Sequence, residues 1–95
     1  APSARAFFAG NLCNAAQFTE CGYLHLLRKG ELTLSRTGAA DITISEPTLL
    51  FFPRGRAHSL TAPPEEGADL VCAKVDLGGD VGNPIGEGLP ELILL

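Results

Sequence analysis

The sequence lacks the features that mark two common functional classes. It has no run of about 18 apolar residues, so it predicts no membrane-spanning helix. Acidic residues outnumber basic ones by 11 to 7, which gives a net charge of −4, and basic residues cluster only at Arg28-Lys29 and Arg54-Gly55-Arg56. Because neutralising several phosphates requires a basic face, these 95 residues are not expected to bind nucleic acid by themselves.

Cysteine is scarce and odd in number. The three cysteines, Cys13, Cys21 and Cys72, do not make the even-numbered framework of a small disulfide-bonded secreted protein. A reducing, cytoplasmic compartment is therefore expected. Each thiol is left as a packed side chain, a metal ligand or a redox-active group, and Cys21, beside Gly22, is most simply a loosely packed or exposed thiol.

No segment carries a convincing helical period. Runs of strand composition, separated by glycine and proline, predict strands at 6–9, 23–28, 31–35, 41–45, 49–52, 57–61 and 69–76. Residues 14–22 are predicted to be irregular, and 77–88 to be a glycine-rich connection. Short strands at regular spacing indicate an all-β sandwich or barrel of about eight strands, and the length fits one domain.

The most informative motif is the Pro-Arg-Gly-Arg-Ala-His segment at residues 53–58, which directly follows an apolar run. Pro53 cannot donate a ladder hydrogen bond and is therefore expected to end the preceding strand. Gly55 is predicted to supply the φ freedom of a tight reversal. After the turn, His58 can point back into the interior of a barrel.

A second histidine lies upstream at a matching place. His25 shares one face of a predicted strand with Tyr23 and Leu27. The two motifs together resemble those of the cupin superfamily, small jelly-roll barrels whose inward histidines hold a metal. Cupins usually present His-x-His at the first motif, followed by a glutamate, whereas this chain has Tyr23 at the first histidine position and Glu31 on the next strand. A three-histidine, one-carboxylate enzyme site is therefore not expected.

Two cysteines provide an alternative set of ligands. Zn²⁺ accepts two thiolates and two imidazoles in a closed tetrahedral site, and distant strands of a barrel face one interior. Cys13, His25, His58 and Cys72 are therefore candidate ligands of one zinc ion. The alternative for His25 is a core histidine bonded to a backbone carbonyl.

The alternative for Cys72 is ordinary side-chain packing. Val71, Ala73 and Val75 form the more apolar face of its predicted strand, which places Cys72 on the opposite face. Burial of both faces near the centre of a sandwich would remove this conflict. The direction of Cys13, just after a Gly-Asn turn, is left open.

Several segments between residues 7 and 95 resemble the cupin-type N-terminal sensor domain of AraC-family transcriptional regulators. They are residues 10–13, 24–30, 47–54, 57–58, 69–73, 83–85 and 89–92. In members resembling this chain, a cysteine near the start, the strand histidine, the histidine after the turn and a Val-Cys cysteine recur together. The resemblance therefore implies a shared role for Cys13, His25, His58 and Cys72.

The implied function is regulation of transcription. In that family the cupin domain senses a signal and often dimerises, while a separate C-terminal pair of helix-turn-helix units binds DNA. Those units are absent from residues 1–95, and the apolar end at 92–95 favours a following domain. The chain is thus expected to be one sensor domain and not an enzyme, with an unidentified small-molecule or redox effector.

Further expectations and alternatives remain open. A homodimer is expected because Leu24 and Leu26 are predicted to point away from the interior. One alternative function is a metal-dependent cupin enzyme, such as an isomerase or a dioxygenase, which needs an open coordination position and a general base. The other is a thiol redox sensor in which Cys13 and Cys72 form a reversible disulfide.

Overall fold

The computed structural model describes residues 3–12, 14–18, 22–76 and 90–95. This part of the chain holds nine strands and no helix. The strands are β1 Ser3–Leu12, β2 Asn14–Phe18, β3 Gly22–Gly30, β4 Leu32–Ser35, β5 Ile42–Ile44, β6 Thr48–Phe52, β7 His58–Ala62, β8 Ala68–Asp76 and β9 Ile93–Leu94. No described segment forms a helix of the length and hydropathy that crossing a bilayer requires.

The strands form two antiparallel sheets. One has five strands in the order β1-β8-β3-β6-β9, and the other has four in the order β2-β7-β4-β5. The buried apolar core comes from both sheets, with Leu27, Leu50, Phe52 and Leu70 from the first and Leu32, Leu34 and Leu60 from the second. The prediction of an all-β sandwich is confirmed.

The alternation of the sequence explains which side chains enter the core. On β3, Tyr23, His25 and Leu27 are buried, whereas Leu24 is half-buried and Leu26 is 38% exposed. Side chains of one parity along a strand share one face of the sheet, so burial selects this register. The predicted outward direction of Leu24 and Leu26 is therefore observed.

The segment after Leu12 differs from its prediction. Residues 14–22 were expected to be irregular, yet β2 pairs along its full length with β7, Phe18 lying opposite His58 and Asn14 opposite Ala62. The strand exists because β7 supplies its hydrogen-bonding partner, a long-range pairing that overrides weak local propensity. The predicted connection at 77–88 lies outside the described residues.

The reversal before His58 is also built differently from the prediction. In the described part of the chain, the glycines with positive φ are Gly10, Gly30, Gly38 and Gly67, and Gly55 is not one of them. Instead, the Arg56 N–H donates to the Arg54 carbonyl at 2.8 Å, which closes a three-residue turn around Gly55. The predicted reversal is present with Gly55 at its centre, but Gly55 does not adopt the positive φ that glycine allows.

The outer faces of the two sheets differ in chemistry. That of the five-stranded sheet is apolar and carries, from neighbouring strands, Leu24, Leu26, Leu49, Phe51, Val71, Ala73 and Ile93. On the four-stranded sheet, Thr33 lies between Thr43 and Thr61, and Ser35 lies opposite Ser59. The outer face of the four-stranded sheet is therefore polar and that of the five-stranded sheet is apolar, although the two sheets enclose the same core.

A buried histidine and cysteine cluster as the candidate functional site

Three of the predicted site residues meet in the sandwich interior. β3 places His25 on the inner face of the five-stranded sheet, and β8 places Cys72 directly opposite it in the register. His58 begins β7 on the other sheet and faces them across the core. His25 is 0% exposed, Cys72 1% and His58 4%, so the cluster is shielded from water.

The three side chains are linked in a row, called here the His-His-Cys cluster. His25 Nδ1 lies 3.0 Å from Cys72 Sγ, and His25 Nε2 lies 2.8 Å from His58 Nε2. His58 Nδ1 lies 2.7 Å from the carbonyl oxygen of Arg56. Both ring nitrogens of each histidine therefore have a partner, as buried polar groups require.

The contact between His58 Nδ1 and the Arg56 carbonyl determines where each proton of the His-His-Cys cluster lies. A carbonyl oxygen can only accept, so His58 Nδ1–H is the donor to Arg56 and the Nε2 of a neutral His58 is an acceptor. His25 Nε2–H then donates to His58, which leaves His25 Nδ1 to accept the Cys72 S–H. The cluster is a directional chain of hydrogen bonds from the thiol to the backbone.

Burial keeps all three groups uncharged. It lowers the pKa of His25 to about 3, and repulsion from His58 acts in the same direction. Burial also lowers the pKa of His58. The hydrogen bond to the Arg56 carbonyl raises this pKa, and the positive charge of Arg36 lowers it, so that the net shift is downward. Burial raises the pKa of the Cys72 thiol to about 12. Two neutral imidazoles and a protonated thiol match the deduced proton positions.

Aromatic rings hold the two imidazoles in place. Tyr23 stacks on His25 with ring centres 5.7 Å apart and planes 11° apart. Phe52 stacks on His58 at 3.7 Å and 6°. The sequence placed Tyr23 on the same strand face as His25, but the position of Phe52 beside His58 was not predicted.

Comparison with known proteins identifies the family. The sequence profile of the cupin family matches residues 1–95. The chain belongs to the cupin family. No curated protein matches its sequence. Its fold resembles two solved structures of ToxT from Vibrio cholerae, an apo single-residue variant (TM-score 0.58, 12% identity) and a second crystal form (TM-score 0.55, 10% identity).

The match covers 99% and 100% of this cupin but only 40% and 41% of the two ToxT chains. It therefore concerns one part of a longer protein in each case, and at this identity it shows the fold alone. With the family match, it confirms the cupin resemblance drawn from the sequence motifs.

The interpretation of the Cys72 strand needs a correction. The alternative in which Val71, Ala73 and Val75 form the core side does not hold, because Cys72 is inside with Leu70 while Val71 and Val75 are only half-buried; Ala73, on their face, is nevertheless buried. The outer face of this sheet is apolar too, so alternation alone could not choose the inner one. Of the four predicted ligands, Cys13 lies outside the described residues.

The donor atoms of this cupin fit a metal only in part. Two neutral imidazoles and a thiol are suitable zinc ligands. However, Cys72 and His58 lie against opposite nitrogens of His25, and the described residues contain no group of three His, Cys, Asp or Glu side chains arranged around one point. Zinc binding would require the thiol proton to leave and, for ligation through His25 Nε2, the ring proton of His25 to move to Nδ1.

Carboxylates are absent from the interior described by the structure. The buried polar or charged residues are His25 and His58, while Glu31 and Asp76, for example, are exposed. Among the described residues, the site therefore presents no buried carboxylate, and its buried titratable side chains are those of the cluster and Tyr23.

Proposed function

We propose that this cupin is the signal-sensing domain of an AraC-type transcriptional regulator and not an enzyme. The observation that carries the proposal is the His-His-Cys cluster, which is closed on itself and on the Arg56 carbonyl. A metal-dependent cupin enzyme needs an open coordination position and a base beside it. The fold shared with ToxT, an AraC-family regulator, supports the same proposal.

The domain arrangement follows from the proposal. Residues 1–95 form one sensor domain, and DNA binding belongs to a C-terminal helix-turn-helix domain outside them. The 40% coverage of the ToxT chain is compatible with this division. A cytoplasmic location and an effector of small-molecule or redox type complete the proposal.

A zinc ion held by Cys13, His25, His58 and Cys72 is the second part of the proposal. Its support is that three of these residues, distant in sequence and drawn from both sheets, are brought into contact. Zinc would tie the N-terminal segment to both sheets, and because the site exists only in the folded state its binding would add to stability.

The redox alternative requires a thiolate at Cys72, since the thiolate is the nucleophile in oxidation. Burial holds the pKa of Cys72 at about 12, so its thiol is protonated at neutral pH in the metal-free domain. Zinc ligation would deprotonate it. The redox alternative is therefore proposed only for the zinc-bound state, in which a peroxide would accept two electrons from the Cys13 and Cys72 thiolates, the two sulfurs would join as a disulfide, and the metal would lose two ligands.

Zinc content of the protein purified without added metal tests the site. We expect near one zinc per chain by mass spectrometry, unchanged in Cys21→Ser, the matched cysteine control outside the proposed site. Cys13→Ser, Cys72→Ser and His58→Gln should each lower the zinc affinity by about tenfold or more. Wild-type protein with no zinc, or unchanged affinity in Cys72→Ser and His58→Gln, would contradict the proposed ligand set.

A homodimer through the apolar face of the five-stranded sheet is the third part of the proposal. The centre of that face carries no charge, and the Arg28–Asp69 ion pair (2.6 Å) lies at its rim. Five strands about 4.8 Å apart and about 17 Å long give roughly 400 Å² of sheet plane, which is small against the ~800 Å² per partner of standard interfaces. A two-fold pair of such faces is self-complementary and of low affinity.

Sedimentation equilibrium of the wild type and two charge variants tests the dimer. Leu26→Glu places a carboxylate at the centre of the proposed interface and should abolish a dimer of micromolar affinity. Thr33→Glu makes a similar change on the polar face of the other sheet and should leave it intact. A Kd of about 100 μM is near the weakest affinity of a specific complex, so a wild type that is still monomeric at that concentration would refute the dimer. Equal effects of Leu26→Glu and Thr33→Glu on the dimer would refute the proposed interface.

A further inference from the structure

A small apolar cavity lies beside the His-His-Cys cluster. A cavity of ≈ 180 Å³ is lined by Phe7, Phe8, Leu12, Ala16, Leu70 and Cys72. It sits between β1 and β8 of one sheet and β2 of the other, with Phe7, 46% exposed, at its rim. Of the six lining residues that the structure describes, only Cys72 contributes a polar group, a thiol already bonded to His25.

The lining sets the chemistry of an occupant. The described lining residues carry no charge, and Lys74 Nζ lies 5.9 Å from the centre of the Phe7 ring at the rim, so burying a charged ligand deep in the cavity would cost its desolvation without compensation. Two phenylalanines favour an aromatic ligand, since aromatic rings attract one another edge to face beyond the area they bury. An apolar protein cavity of about 150 Å³ is known to accept benzene. The volume therefore fits one uncharged ring with a small substituent.

We propose that this cavity is the ligand-binding site of the domain and that it accepts a small, uncharged aromatic molecule of about six to ten heavy atoms. The inference rests on the proposed sensing function for its biological meaning. Cys72 belongs both to the cavity wall and to the cluster, so an occupant contacts the first group of a hydrogen-bonded row that crosses to the other sheet. Ligand binding and the state of the cluster are thereby coupled.

Toluene is the probe that tests this site. We expect it to bind the wild-type chain with a Kd of roughly 0.1–1 mM, as befits a ligand of its size. Its protons should show nuclear Overhauser contacts to the methyl groups of Leu12 and Leu70, and the ¹⁵N resonance of His25 Nδ1 should shift on binding. Benzoate, of similar shape but charged, should not bind.

A matched pair of variants locates the binding. Ala16→Leu adds a side chain inside the cavity and should weaken toluene binding at least tenfold. Ala9→Leu makes the same change on an exposed position of β1 and should leave the affinity unchanged. If Ala16→Leu does not fold, the nuclear Overhauser contacts of toluene to Leu12 and Leu70 in the wild type decide by themselves whether toluene binds in this cavity.

Two results would overturn the inference. One is the absence of any toluene contact to Leu12 or Leu70 up to the solubility limit of toluene in water. The other is equal affinity of the folded Ala16→Leu and Ala9→Leu variants. Neither result bears on zinc content or oligomeric state, so failure of the ligand site is distinguishable from failure of the proposed function.

Discussion

His25→Ala is expected to lower the free energy of unfolding of the metal-free domain by about 3–5 kcal/mol. The substitution removes a fully buried ring that stacks on Tyr23 and leaves a cavity. It also takes away the acceptor of the Cys72 thiol and the donor to His58 Nε2, so two buried polar groups lose their partners. Because small domains have only about 5–15 kcal/mol of stability, this variant should be at most marginally folded.

Urea denaturation in the presence of a chelator measures this effect. Leu26→Ala, measured at a dilution where the proposed dimer is dissociated, is the matched control, since its side chain is the next on β3 and faces outward, and it should cost less than about 1 kcal/mol. His25→Gln keeps a polar side chain of similar length and should fall between the two. Equal stability of His25→Ala and Leu26→Ala would show that the cluster does not stabilise the domain.

Acidification is expected to destabilise the metal-free domain between pH 7 and pH 5, by about 2 kcal/mol through His25 alone. An unfolded histidine takes up a proton as the pH falls below 6.5, whereas burial holds the pKa of folded His25 at about 3. The stabilisation is therefore complete above pH 6.5 and is lost as the pH falls towards 3. The pKa of His58 is also lowered, so it adds a loss of the same sign.

Comparison of pH slopes isolates this contribution. The unfolding free energy of the wild type and of His25→Gln is measured in urea at pH 7, 6 and 5 with a chelator present. The variant lacks one titrating group, so its stability should fall less steeply, by up to about 1.4 kcal/mol per pH unit. Carboxylates titrate equally in both proteins and cancel. Identical slopes would mean that His25 is protonated as readily in the folded domain as in the unfolded chain.

The sequence was sufficient for the β fold and for the inward direction of His25. Along β3, Leu24 and Leu26 make the outer face apolar as well, so it was the likeness of His25 to the cupin motif, with Tyr23 and Leu27 on its face, that indicated the inward side. The Pro53 break likewise indicated where His58 re-enters the core. Local pattern and burial agree in these segments, so they could be predicted.

Long-range pairing accounts for what the sequence did not predict. β2 contains two alanines and no clear alternation, and only its partner β7 makes it a strand. The contact of Cys72 with His25 depends on the register of two strands 47 residues apart, and both faces of β8 are apolar enough to be the inner one. The cavity bounded by β1, β2 and β8 depends on the same pairings.

The central claim, that His25, His58 and Cys72 form one buried and proton-ordered unit, is tested most directly by ¹⁵N NMR of the histidine rings in the metal-free domain at pH 7. The account predicts two neutral imidazoles, with the proton of His58 on Nδ1 and that of His25 on Nε2. An imidazolium spectrum for either ring, or a proton on Nε2 of His58, would contradict it.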